Sequence, residues 1–161
     1  MIAKNVDRRL VMRVLGRWKS ITPDGRFPRR SQIDPRAFGQ DWANCLLIDL
    51  DPMLDQSRFA FVGDLVRDPN WPPFERQSLG DCVEGTLLQL ATAHLKLLIA
   101  RRAPISFGGT ATHEDSPILY RSILLPLAED GVAIDGALGA VNYREVVSAE
   151  ELLPAQIAPA A

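Results

Sequence analysis

Cysteine and histidine are scarce, with two of each in 161 residues. Cys45 and Cys82 have neither metal-ligand spacing nor the pattern of a disulfide framework, so zinc modules and disulfide scaffolds are set aside. No apolar run is long enough to cross a bilayer, and Met1 to Arg9 shows no hydrophobic leader with a cleavage site. A reduced cytoplasmic protein is the simplest expectation. The signatures of common catalysis are missing too: there is no P-loop, dinucleotide fingerprint, nucleophile elbow or zinc-protease helix. Asp49, Asp51 and Asp55 lack the central glycine and terminal glutamate of a calcium loop. No acid/base pair can be assigned from spacing, so the expectation is a non-catalytic protein. A small cavity enzyme without a motif is the alternative.

Apolar residues make up 47% of the chain and mean hydropathy is near zero, which suits one domain with a real core. The charge is unevenly placed. Residues 1–36 hold ten basic side chains against three acidic ones, a balance of +7 that leaves −9 for the rest of a chain whose net charge is −2. Such a division steers an anionic partner to one end, or holds the basic segment against the acidic body.

Periodicity predicts a helix over 3–20, with Val6, Leu10, Val11, Val14 and Trp18 on one stripe and Arg8, Arg9, Arg13 and Lys19 on the back. Thr22-Pro23-Asp24-Gly25 ends it with turn chemistry. Asp34-Pro35 reads as the start of a short helix, an N-cap followed by proline at the first helical position. Asn44–Leu50 and Arg58–Val66 read as a hairpin in which Phe59, Phe61 and Leu65 share a face. A loop over 67–78 holds Trp71 and Phe74. A long helix is predicted over 80–101, closed by Arg101-Arg102 and stopped by Pro104. Strands follow at 104–112, 117–127 and 134–143. Three segments result: a basic amphipathic helix over 1–25, a folded domain over 26–146, and a flexible tail over 147–161.

The late strands carry apolar side chains on both faces. Ile118, Tyr120 and Leu124 point one way, while Leu119, Ile123, Leu125 and Leu127 point the other. A solvated sheet face alternates with polar residues, so both faces call for a cover. One is assigned to the central helices, the other to the N-terminal helix or a partner subunit, which makes a homodimer a natural expectation.

The chain resembles PAS domains, and in particular the single-domain PAS-like proteins of alphaproteobacteria. The residues that carry the likeness are Pro28-Arg29-Arg30-Ser31-Gln32-Ile33-Asp34-Pro35, Leu46-Leu47-Ile48-Asp49-Leu50 and Arg58-Phe59-Ala60-Phe61-Val62-Gly63. They continue in Arg101-Arg102-Ala103-Pro104-Ile105, Leu124-Leu125-Pro126-Leu127, Asp130-Gly131 and Leu138-Gly139-Ala140. After Gly63 the chain departs, with Asp64 to Asn70 in place of a small hydroxyl residue and an apolar stretch. The resemblance implies an α+β fold: a five-stranded antiparallel sheet in the order 2-1-5-4-3 with flanking helices. It further implies sensing, or protein–protein signalling to a downstream protein.

On that reading a ligand cavity draws on Phe59, Phe61, Leu87, His94, Leu98, Tyr120 and Leu124, and a small-molecule ligand is expected there. His94 lies on the apolar stripe of the long helix. Haem ligation through it is the sharp reading and a half-buried, hydrogen-bonded histidine the plainer one, which is preferred because one axial histidine makes no motif. Arg8, Arg9, Arg13 and Trp18 are the partner-docking candidates. The competing reading makes the basic helix an adaptor for anionic membrane or nucleic acid, but neither a helix-turn-helix nor interleaved aromatics accompany it. Cys82, near a predicted helix start, could sense oxidants if its thiol were activated. His113-Glu114-Asp115 reads as a turn, and Gly108-Gly109 as a bulge or a place of close backbone approach.

Overall fold

The computed structural model describes residues 8–67, 77–146 and 156–159. Five antiparallel strands form the body of one sheet: β1 (Cys45–Asp49), β2 (Arg58–Val62), β3 (Ile105–His113), β4 (Ser116–Leu127) and β5 (Gly136–Glu145). Their order is β2-β1-β5-β4-β3, the arrangement expected from the resemblance. A sixth strand, β6 (Gln156–Pro159), adds to the free edge of β3, with Ile105 opposite Pro159 and Gly108 opposite Gln156. It falls within the stretch that the sequence marks as a tail. Among the described residues no helix is long and apolar enough to cross a membrane.

The sheet separates two apolar clusters. On the inner face, Leu46, Ile48, Phe59, Val62, Ile118, Tyr120, Leu124, Ala137 and Val141 meet two short helices, α3 (Leu87–Thr92) and α4 (Leu95–Arg101). On the outer face, Cys45, Leu47, Ile123, Leu125, Leu127, Leu138 and Ala140 meet α1 (Arg8–Ile21), which contributes Leu10, Val11, Val14, Leu15 and Trp18. The double-sided apolar pattern of β4 thus has its cause: each face carries a helical layer, and the outer cover comes from the same polypeptide. Val6, expected on the same stripe, lies outside the described residues, as do Trp71 and Phe74.

Local chemistry accounts for the joints. Asp34 accepts a hydrogen bond from the backbone N–H of Arg36 at 3.0 Å, and Pro35 opens α2 (Pro35–Phe38), as the sequence predicts. Between α2 and β1, the 3-10 turn Gly39–Asn44 runs close beneath β2. A side chain at Gly63 would collide with the Ala43 carbonyl, so only glycine lets the chain leave β2 there. This ends β2 at Val62, short of the Val66 expected.

Two expectations are corrected. The hairpin β1–β2 contains a bulge: Leu47 pairs with Phe61 but Ile48 pairs with Phe59, leaving Ala60 as the extra residue. The alternation is reset, so Phe59 enters the inner cluster while Phe61 turns outward and stacks on Trp42 at 4.5 Å. Phe59 and Phe61 do not share a face. The long helix over 80–101 is also absent. Gly85, at φ +84°, turns the chain into Thr86, which caps α3 by accepting from the Gln89 N–H at 3.3 Å. The Thr92 hydroxyl then donates back to the carbonyls of Leu88 and Gln89, both at 3.1 Å, a bonding mode that bends helices. His94 sits at the break with φ −111° and ψ 24°, ahead of α4.

Candidate functional site

An open groove of about 560 Å³ lies between the start of α3 and the far end of β3. Three separate stretches make it. Val66 reaches it from the turn after β2, Glu84 to Leu87 and Leu90 from the start of α3, and Thr110 to Glu114 from the β3–β4 hairpin. Its apolar part is Val66, Leu87, Leu90 and Ala111; its polar part holds three threonine hydroxyls, His113 and the carboxylates of Glu84 and Glu114. The hairpin turn is tight, with Glu114 and Asp115 both left-handed at φ 49° and 62°. That geometry carries the Glu114 side chain to the groove and matches the turn expected at His113-Glu114-Asp115.

The residues proposed from sequence as cavity lining are mostly brought together, as buried members of one cluster. Phe59, Leu87, Leu98, Tyr120 and Leu124 all belong to the inner cluster, and Leu98 and Leu124 are fully buried. Of this set only Leu87 also borders the groove. Phe61 is on the other side of the sheet for the reason given above. His94 is half-buried with its ring edge-on to Phe107 at 4.5 Å, and it does not border the groove. An axial haem ligand needs an imidazole facing open space, so the arrangement at His94 does not fit that role. Burial pushes its pKa below the usual histidine value.

The docking candidates separate as well. Arg9 is exposed on the outward side of α1. Arg13 forms a two-pronged pair with Asp41, both contacts at 2.8 Å. Trp18 is a core residue, 6% exposed, because its indole finds an acceptor in Pro126. It therefore cannot serve as a surface anchor. The Arg8 side chain lies outside the described residues. Cys82 is not an activated thiol: it ends a 3-10 turn, Leu79–Asp81, and burial with the neighbouring Asp81 charge pushes it up to about 11. Burial and the Asp41 charge push Cys45 up to about 12.

Near the groove, the His113 ring packs against Tyr143 at 4.7 Å. Burial, then the charges of Glu114 and Glu145, raise the Tyr143 hydroxyl above its usual value. Among the described residues no three His, Cys, Asp or Glu side chains gather into a metal site. Val66, Leu90, Thr110 and Thr112 are not among the cavity residues expected from the sequence. The Gly85-Thr86 pair was the one local signal for the start of α3. No family model, curated protein or solved structure matches the chain.

Proposed function

We propose that the chain is a PAS-like sensory and docking module of the cytoplasm, without catalysis of its own, that couples occupancy of its groove to a partner protein. The observation that carries this reading is the groove itself. It opens beside the inner cluster of buried residues, on the face of a β2-β1-β5-β4-β3 sheet opposite to α1. Its mixed lining suits a small molecule with an apolar body and a hydrogen-bonding end. The outward stripe of α1, with Arg9, Met12 and Arg17 exposed, is the surface offered to a second copy or a downstream protein.

Native mass spectrometry and an absorption spectrum of freshly purified protein test the reading. A retained small molecule is expected, lost when Leu90→Trp fills the groove while the fold persists. Protein that carries nothing, and whose melting temperature no small-molecule panel shifts, would remove the sensory reading.

A further inference from the structure

Arg102 closes α4 in a left-handed conformation, φ 53° and ψ 41°. Glycine or asparagine normally takes that place, since a Cβ is strained there. The arginine side chain has an evident use. Its guanidinium donates to the Val132 carbonyl at 2.6 Å and lies over the Phe27 ring, 5.2 Å from the centroid. Arg102 follows directly on α4, whose Leu95 and Leu98 belong to the inner cluster. Phe27 packs against the outer cluster, the one that α1 completes. One side chain thus rounds the end of the sheet and joins the two layers the sheet keeps apart.

The contact is embedded in a continuous backbone path. The Phe27 N–H donates to the Gly131 carbonyl at 2.9 Å, and the Ala128 N–H to the Pro28 carbonyl at 3.0 Å. A side chain at Gly131, φ +79°, would press on the Arg26 side chain at 3.1 Å. Asp130 holds the same loop by accepting from the N–H groups of Val132 and Ala133, both at 2.8 Å. From β4, just before that loop, the Pro126 carbonyl accepts the Trp18 indole of α1. We infer that Arg102, through Phe27 and the 128–135 loop, is the link by which a shift of the inner helices reaches α1. This rests on the sensory reading for its purpose, but its mechanics stand apart from any ligand.

The test is amide hydrogen exchange on the whole 161-residue chain as purified, comparing wild type with Arg102→Gly. Glycine favours the left-handed backbone, so the cap survives while the guanidinium goes. Exchange across α1 is expected to quicken on the order of fivefold, with the paired centre of β4 and β5 unchanged. Phe27→Leu, which keeps an apolar side chain but no ring face, is expected to do the same. The double variant should be no faster than either alone. Unchanged α1 exchange in both single variants, or an equal rise in every segment, would overturn the link. Neither result bears on whether the groove retains a molecule, which the mass measurement decides separately.

Discussion

The indole N–H of Trp18 donates to the carbonyl oxygen of Pro126 at 2.9 Å within the outer cluster, tying α1 to the end of β4. Removing the donor while keeping the ring strands a buried acceptor. Trp18→Phe should therefore cost about 1–3 kcal/mol, and Trp18→Ala about 3–5 kcal/mol through the added cavity. Urea unfolding measures both. A Trp18→Phe midpoint equal to wild type would show that this bond adds nothing.

Phe59 and Phe61 should respond unequally to truncation although they are two residues apart. Phe59 is 1% exposed in the inner cluster, so Phe59→Ala is expected to cost about 3–5 kcal/mol. Phe61 is only partly buried, and its removal should cost clearly less. A double-mutant cycle of Phe61 with Trp42, both to Ala, should return about 0.5–1.5 kcal/mol for the stack. Equal losses at the two phenylalanines would contradict the bulge at Ala60.

His94 gives stability a dependence on acid. Burial lowers its folded pKa below the ordinary 6.5, so the unfolded chain binds the proton more readily than the folded one. Its contribution is complete above the unfolded pKa and is lost as pH falls through 6.5 towards the folded value. His94→Gln should flatten that part of the curve. Urea midpoints taken across this interval for both proteins check it, and an unchanged slope would count against the assignment.

Both thiols should resist alkylation. With Cys45 held near 12 and Cys82 near 11, the thiolate is rare at neutral pH, and Cys45 is also fully enclosed. Iodoacetamide at about pH 8 is expected to label the native protein at least about tenfold more slowly than the unfolded chain. Peptide mapping should find Cys82 modified first. Rapid labelling of Cys45 would mean that the outer cluster opens readily.

How much of this was legible in the sequence depended on the range of the forces involved. Strand order of appearance, the Asp34-Pro35 helix start and the need to cover both faces of β4 follow from patterns a few residues wide, and each appears in the structure. The Ala60 bulge was not legible, because alternation looks the same until the partner strand fixes the register. The break at His94 was masked by Leu87, Leu90, Ala91, Leu95 and Leu98, whose helical spacing runs straight through it; the Thr92 hydroxyl decides the bend. The groove was hidden for a third reason: Val66, Leu87 and Thr112 become neighbours only once the sheet has formed.

One consequence follows from α1 lying on the outer face of its own sheet. The outer cluster closes without a second copy, so dilution should not unfold the chain, and any rise of melting temperature with concentration would report docking of copies through the outward stripe of α1. Whatever assemblies the molecule enters, it enters them already whole.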